Sequence, residues 1–350
     1  MKHHKSIKVE HQLKPETLQK ESKERPPAIR LEPAITLPQN TSVSLLQNKN
    51  RTVLLGVFSH ACELEARRRT RIRNTWAAKL PDQVRMIFVL CEDHGNIDNS
   101  TTTNLANEKN IFNDILFMPC MENMDHGKTF TFMSTAHVML SREAEDSNSF
   151  VDYIMKIDGD SILGVNALLK FLRLDKVPSD KPAIFGCQYL WSLDDWRKFK
   201  APANMDYGHY MNGGGYGFSR VALDFIATSS YVRNHTIGYE DKMSGLWMMK
   251  LGRKAKWYNM CAHPTAFIDS TWIKDSGRFG EPLTTEVAIV HHVKEELIWN
   301  SVHKEVKRFE ALNKGGDYTG EMQYDCSYLS GAIDLKFNSK RRWCEMPLKT

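Results

Sequence analysis

Apolar and polar residues form alternating blocks along this chain, and the blocks predict strands and helices in turn. Short apolar runs bounded by polar residues are typical of strands buried on both faces of a sheet. Such runs occupy residues 52–58, 86–90, 115–118, 151–157 and 183–186. Longer segments of mixed polarity predict helices at 128–145, 163–174, 220–229, 240–251 and 293–313. This alternation predicts an α/β fold with a single, mainly parallel (mixed) sheet flanked by helices.

The two ends of the chain lack this pattern. Residues 1–50 are polar and show no periodicity, and they contain Pro15, Pro26, Pro27, Pro33 and Pro38. Such a composition predicts a disordered arm or stem. We therefore expect one folded domain at 51–313, followed by a C-terminal extension at 314–350.

Composition narrows the functional classes. The 350 residues carry a formal net charge of only +5, with no basic stripe interleaved with aromatic residues, so no nucleic-acid partner is expected. No apolar run reaches the roughly 18 residues of a membrane span, so no transmembrane segment is expected. The basic start at Met1–Lys5 is not followed by an apolar segment typical of a signal peptide.

The seven cysteines are scattered without a C-x-x-C pair, which argues against a zinc site. Four of them lie in or beside apolar runs and are expected to be core residues: Cys62, Cys91, Cys120 and Cys187. Cys326 and Cys344 lie in a polar tail and are the better candidates for a disulfide.

The candidate chemistry begins where the fourth apolar run ends, at Asp158-Gly159-Asp160. Ligands of open α/β sheets bind at the carboxyl ends of strands. Two carboxylates separated by one glycine suit Mg²⁺ or Mn²⁺, which often share their site with substrate phosphates. An ordinary Asp-Gly turn is the alternative interpretation.

Two further segments are candidates for ligand contact. The basic run from Arg67 to Arg73 follows the first strand, which places guanidinium groups near the same sheet edge. A solvated helix face is the alternative for much of this run. Residues 212–215 predict a loop, whose glycines would let the backbone approach a ligand, although a plain loop is the favoured interpretation.

Two polar groups complete the set. Asp241, at the start of a predicted helix, is either a capping residue or a general base that is ionised at neutral pH. His291 and His292 end an apolar strand and are either polar caps or metal ligands, with His263 as a rival ligand.

Together these segments resemble the β-1,3-glycosyltransferase family, which includes β-1,3-galactosyltransferases, N-acetylglucosaminyltransferases and, more distantly, Fringe. Residues 68–76 resemble the pattern RR-x-A-I-R-x-T-W, and residues 156–160 resemble K-x-DDD. Four further blocks follow the family order: 113–129 (DIL … KT), 213–219 (G-x-GY-x-x-S), 240–252 (EDV-x-x-G … LG) and 290–299 (V-H-x-x-K … I-W). The resemblance covers roughly residues 52–300.

The resemblance implies a GT-A type fold and an inverting glycosyltransferase. It implies a UDP-sugar donor, a glycan acceptor and a β-1,3 linkage. It assigns Asp158, Asp160 and His291 to Mn²⁺ (or Mg²⁺), with Asp158 also near the donor, and Asp241 to the role of base. The donor site is expected to include Arg69, Arg73, Lys128, Gly214 and Gly215.

Departures from the family pattern leave alternatives open. Gly159 replaces the middle acid, and Lys242 replaces a valine beside the expected base, where it either lowers the pKa of Asp241 or points away. A Golgi lumen location is expected by resemblance, although the anchor of a type II Golgi enzyme is absent from the sequence. A non-catalytic relative that binds nucleotide sugars or carbohydrates, and an unrelated metal-dependent phosphohydrolase, are the alternative functions.

Overall fold

The computed structural model describes residues 53–93, 99–147, 151–174, 177–190, 209–262, 266–269, 283 and 286–313. All of them belong to the unit Leu45–Thr350, while Met1–Ser44 is a separate unit. The predicted arm at 1–50, the extension at 314–350 and the cysteines of the tail lie outside the described residues, so these predictions stay untested. No helix among the described residues is long and apolar enough to cross a membrane.

The strands form two sheets. The larger has the order β3-β2-β1-β4-β7-β6-β8, and the smaller has the order β5-β10-β9. The strands are β1 Val53–Phe58, β2 Val84–Asp93, β3 Ile115–Met121, β4 Tyr153–Asp158, β5 Ile162–Leu163, β6 Ala183–Leu190, β7 His209–Ser219, β8 Lys256–Asn259, β9 Phe267–Asp269 and β10 Ile289–His291.

The large sheet is mixed, as predicted. Strands β3, β2, β1 and β4 pair in parallel, β6 pairs in parallel with β8, and β7 runs antiparallel to both β4 and β6. In the β1–β4 register Phe58 lies opposite Asp158. The segment that follows β1 therefore begins at the same sheet edge as the Asp158-Gly159-Asp160 turn.

Helices cover both faces of the large sheet. They are α1 Glu63–Asn74, α2 Asn99–Phe112, α3 Lys128–Ser147, α4 Val165–Leu174, α5 Arg220–Thr228, α6 Ser230–Arg233, α7 Glu240–Lys250 and α8 Glu296–Asn313. Alternating residues of β1 point to opposite faces, so that Leu55 joins the core with α4 and α8, while Leu54 joins the core with α3 and α7. The predicted α/β layering is confirmed.

The prediction of a loop at residues 212–215 is wrong, because these residues lie inside strand β7. Glycine lowers the hydrophobic signal of a strand, and here it serves packing rather than a turn. A Cβ atom at Gly217 would lie 2.3 Å from Cζ of Phe185, and one at Gly215 would lie 2.9 Å from Cδ1 of Ile289. The backbone of β7 therefore packs directly against its neighbours.

Cys91 and Cys187 are buried in the core, as predicted, but the disulfides that they form were not predicted. Cys91 and Cys120 form one disulfide between β2 and β3, and Cys187 of β6 forms another with Cys261. Their apolar neighbours suggested core thiols, but strands distant in sequence bring the sulfur atoms into contact. Cys62 is a free, exposed thiol at the start of α1, not a core residue.

Candidate functional site

The topology gathers the predicted metal ligands at one edge of the large sheet. β4 ends at Asp158, and the amide of Ser161 closes the following turn by donating to the carbonyl of Asp158 at 3.0 Å. The turn leads into β5, which pairs antiparallel with β10, and β10 ends at His291. The amide of Val293 then donates to the carbonyl of Asp160 at 2.8 Å, which fixes the two segments side by side.

The side chains converge on a small volume. Nε2 of His291 lies 3.4 Å from Oδ2 of Asp158 and 3.5 Å from Oδ1 of Asp160. One ligand atom each from Asp160, His291 and His292 lies within 4.8 Å of the others. Carboxylate oxygen and imidazole nitrogen atoms are a donor set that fits Mn²⁺ well and Mg²⁺ through its oxygens.

Asp269 orients both histidines. Nδ1 of His291 lies 3.1 Å from Oδ2 of Asp269, and Nδ1 of His292 lies 2.8 Å from Oδ1. A carboxylate behind the ring fixes the imidazole tautomer and leaves Nε2 available to a metal. Sequence reasoning missed Asp269, because only the pairing of β9 with β10 brings it beside His291.

The electrostatic environment of His291 favours positive charge. Burial opposes the charged imidazole, but hydrogen bonds to Asp158 and Asp269 and the nearby carboxylates raise the pKa of His291 to about 9. Burial likewise opposes the Asp158 carboxylate, yet Lys156 and His291 hold its pKa well below the usual range. A site that retains a proton so strongly is also suited to a cation.

Lys156 joins this group of residues to a second one. Its fully buried Nζ lies 2.8 Å from Oδ1 of Asp158 and 2.7 Å from Oε1 of Glu240, and it also donates to the carbonyl of Gly213. Burial disfavours the ammonium, but the two carboxylates outweigh it and raise the pKa of Lys156. The lysine is therefore a fixed cation between β4 and the start of α7.

Glu240 is a buried acceptor rather than a helix cap. Besides Lys156, it accepts hydrogen bonds from Oγ1 of Thr129 at 3.2 Å and from the hydroxyl of Tyr216. Burial and the Glu240 charge raise the pKa of Tyr216 well above its ordinary value, so the phenol stays a donor. The carboxylate of Glu240 is thus held in one position, and with it the first turn of α7.

Asp241 follows on that turn, and its pKa is higher than the ordinary carboxyl value assumed from the sequence. Burial and the charge of Glu240 raise the pKa of Asp241 to about 7, although the Lys242 amide donates to its Oδ1 at 2.7 Å. Nζ of Lys242 lies 4.8 Å from the ring centre of Tyr239. The lysine charge lowers the pKa of Asp241, but burial and Glu240 dominate.

The two arginines that were predicted to lie beside the donor form ion pairs with carboxylates. Nη2 of Arg69 lies 2.6 Å from Glu108, while Arg73 contacts Glu108 at 2.7 Å and Asp114 at 2.7 Å. Both arginines therefore tie α1 to α2 and to the start of β3. Nζ of Lys128 donates to the carbonyl of Ser59 at 2.8 Å and pairs with Glu122.

The two glycines that were predicted to contact the donor lie beside the candidate metal ligands, where the packing leaves no room for a side chain. A Cβ atom at Gly214 would lie 2.3 Å from Cγ of His291, and its carbonyl accepts from Oγ of Ser161 at 3.0 Å. Gly215 makes room for Ile289 of β10. The glycines therefore allow β10 to bring His291 against β7.

The sequence profile of the family described as Galactosyltransferase matches residues 67–257, which is more than half of the chain. The chain belongs to the galactosyltransferase family. Its mixed sheet, flanked by helices, is accordingly of GT-A type, and glycosyl transfer is the reaction class of the family. The search of curated proteins returned no significant match.

Several solved glycosyltransferase structures resemble the chain at a distance. Mouse xyloside xylosyltransferase 1, in its apo form, is 12% identical, with 69% of this chain and 97% of that chain covered and a TM-score of 0.37. A mannosyltransferase from Pyrobaculum calidifontis, in complex with GDP-Man and Mn²⁺, is 13% identical, with 77% and 66% covered and a TM-score of 0.36. Similarity at this level carries no argument about the site.

Replacing Gly214 by alanine tests how the candidate metal ligands are held in position. The added methyl group collides with the His291 ring, so we expect Mn²⁺ affinity to fall at least about tenfold, as for changes that disturb ligand orientation. Gly217→Ala is the matched control, because its Cβ would lie at the same 2.3 Å from a ring atom, but of Phe185. Electron paramagnetic resonance titration with Mn²⁺ measures both, and equal affinities in the two variants would contradict the assignment.

Proposed function

We propose that this galactosyltransferase-family protein is an inverting, metal-dependent glycosyltransferase that moves a hexose from a UDP-sugar to a glycan hydroxyl and forms a β-1,3 linkage. The hexose is galactose or an N-acetylhexosamine. The observation that supports this most strongly is the buried lysine between two chemically different groups of residues. On one side Asp160, His291 and His292 are arranged as cation ligands with Asp158 beside them, and on the other Asp241 has a pKa near neutrality.

In this proposal the edge formed by the Asp158–Asp160 turn and His291 holds the donor. A bound Mn²⁺ or Mg²⁺ supplies positive charge against the negative charge that develops on the leaving diphosphate. Asp160 and His291 would hold the ion, Asp269 orients the imidazole, and Lys156 keeps Asp158 in place. Asp158 is the better placed of the two aspartates to accept from the ribose or from a water molecule.

Asp241 performs the proton transfer. The acceptor oxygen forms a bond to the anomeric carbon while the bond from that carbon to the phosphate oxygen breaks, and its electron pair leaves with UDP. The acceptor proton passes to Oδ2 of Asp241, because Oδ1 already accepts from the Lys242 amide. Inversion in a single displacement needs only this one base. A pKa near the working pH is the optimum for such a group.

The other predicted donor residues have supporting roles in this proposal. Arg69 and Arg73 fix α1 through Glu108, and Lys128 fixes the segment after β1 through Ser59. These contacts fix the sheet edge at which the donor is proposed to bind. Gly214 and Gly215 admit His291 and Ile289.

A secretory-pathway location, and more specifically the Golgi lumen, is part of the proposal. The family suggests it, and two disulfides among the described residues are typical of an oxidising compartment.

One observation favours a second candidate, a non-catalytic relative that binds a nucleotide sugar or a carbohydrate. Gly159 lacks the family's middle carboxylate, and a Cβ atom there would lie 3.1 Å from Oε2 of Glu65. Glu65 thus occupies the space into which a side chain at position 159 would extend. Metal-dependent hydrolysis or transfer from a UDP-sugar by the purified protein would exclude this candidate.

Asp241→Asn separates proton transfer from donor binding. Asparagine cannot accept the acceptor proton, so we expect kcat to fall by about a hundredfold or more, the usual contribution of a general base. The affinity for UDP with Mn²⁺ should stay within about twofold. UDP release from a panel of UDP-sugars with glycan acceptors measures turnover, and calorimetry measures binding.

Asp224→Asn, a half-exposed carboxylate on α5, is the matched control for this comparison. Full turnover in the Asp241→Asn variant would show that another group is the base. Absence of turnover with every UDP-sugar in the unaltered protein would contradict the proposed function as a whole.

The pH dependence follows from the raised pKa of Asp241. Only the carboxylate accepts a proton, so kcat/KM should rise about tenfold per pH unit below pH 7 and level off above it. Initial rates at subsaturating acceptor between pH 5.5 and 8.5 measure this profile. A rate that is already level at pH 5.5 would mean that the base has an ordinary carboxyl pKa.

A further inference from the structure

The arginines of α1 differ in how completely their guanidinium nitrogens are hydrogen-bonded. Arg69 pairs with the carboxylate of Glu108, and Arg73 pairs with the carboxylates of both Glu108 and Asp114. By contrast, Nε of Arg68 and both Nε and Nη2 of Arg71 are buried without a hydrogen-bond partner among the described residues. A buried charged donor without an acceptor is costly, and such groups in a native protein call for a ligand or another explanation.

Arg71 is held in place by an aromatic ring. Its guanidinium carbon lies 4.1 Å from the ring centre of Trp299 on α8, and the Trp299 indole donates to Oγ1 of Thr75 at 3.3 Å. Stacking of this kind fixes the plane of the guanidinium, whose buried Nε and Nη2 lack an acceptor among the described residues. Burial and the charge of Arg68 lower the pKa of Arg71, while the charges of Glu296, Asp160 and Glu65 oppose this shift.

Arg68 is tied to the turn that carries the metal ligands. It pairs with Oε1 of Glu65, while Oε2 of Glu65 accepts from Ser59 at 3.3 Å and lies against Gly159. Because Arg68 and Arg71 are three residues apart, they share one face of α1. That face borders the Asp158-Gly159-Asp160 turn.

Two departures from the family pattern change the charge here in the same direction. In RR-x-A-I-R-x-T-W the position of Arg71 is an alanine, and in K-x-DDD the position of Gly159 is an acid. This chain therefore has one cation more and one anion fewer beside the turn. An added guanidinium with unpartnered nitrogens is suited to an anionic substrate group.

We propose that Arg68 and Arg71 form an anion subsite that binds the diphosphate of the donor beside Asp160. The assignment rests on the proposed function, since it takes the donor to be a nucleoside diphosphate sugar. Guanidinium forks match phosphate oxygens, and the subsite borders the turn of Asp160 rather than Asp241, where the acceptor is deprotonated. A carboxylate on an acidic acceptor has similar chemistry and is the alternative that the test must exclude.

Arg71→Ala is the decisive variant, because it restores the residue of the family pattern. Calorimetry with Mn²⁺ present compares UDP, uridine and inorganic pyrophosphate on the unaltered protein, on Arg71→Ala and on Arg68→Met. We expect both variants to bind UDP and pyrophosphate about ten- to hundredfold more weakly, the usual effect of losing a charge-assisted hydrogen bond. Uridine affinity should not change. Arg67→Ala is the matched control, since Arg67 is exposed on the same helix and pairs only with Glu63 among the described residues.

The outcomes separate the subsite from the proposed function. UDP and pyrophosphate affinities equal to those of Arg67→Ala in both variants would overturn the subsite and leave the proposed function standing. Weaker pyrophosphate binding in the variants, with no UDP binding by the unaltered protein, would support the subsite and contradict a UDP donor. A raised KM for a uronic-acid acceptor, with unchanged UDP and pyrophosphate affinities, would overturn the donor assignment. Circular dichroism and the unfolding midpoint check that each variant is folded. If Arg71→Ala does not fold, Arg68→Met tests the subsite on its own.

Discussion

One buried ammonium group controls the geometry of this site. Nζ of Lys156 contacts Asp158 at 2.8 Å and Glu240 at 2.7 Å, and no part of the residue is exposed. Burying a charge is costly unless it is paired and hydrogen-bonded, and removing one partner of such a group usually destabilises a protein by about 3–5 kcal/mol. The pairing therefore has one geometry, and it fixes the end of β4 relative to the start of α7.

The two halves of the site depend on this geometry. Asp158 belongs to the half that gathers Asp160 and His291, while Glu240 directly precedes Asp241 and raises its pKa. Strand β7 contacts both halves, because the carbonyl of Gly213 accepts a hydrogen bond from Lys156 and Gly214 leaves room for the His291 ring. The glycines are thus part of the same constraint. A side chain at either position would separate elements that the lysine holds together.

Much of this could be predicted from the sequence, for a physical reason. Ligands bind where strands of an α/β sheet end, so a site at Asp158 and Asp160 was predictable from their place after an apolar run, and the family resemblance added His291. Local patterns could not reveal what depends on pairing across the sheet. Asp269 follows a three-residue strand, and its role emerges only beside β10.

The same limit explains the errors. The glycines of β7 weakened the strand signal, the disulfide cysteines resembled core residues, and Asp241 carried no sign of its raised pKa. In the basic run of α1, residue type alone could not separate Arg69 and Arg73, which pair with carboxylates of α2 and of the start of β3, from Arg68 and Arg71, each of which has at least one buried nitrogen without a partner among the described residues. The orientation of the helix decides which guanidinium groups face the sheet edge.

We infer that Lys156 holds the donor-binding and proton-accepting halves in register, and the variant Lys156→Met tests this inference most directly. The measurement is kcat for sugar transfer in the folded variant, beside Lys250→Met, which removes an exposed lysine from the end of α7. The account predicts that kcat falls by about a hundredfold or more in Lys156→Met, because displacement of a reacting group by about 1 Å costs this much. A folded Lys156→Met protein with the kcat of Lys250→Met would contradict it.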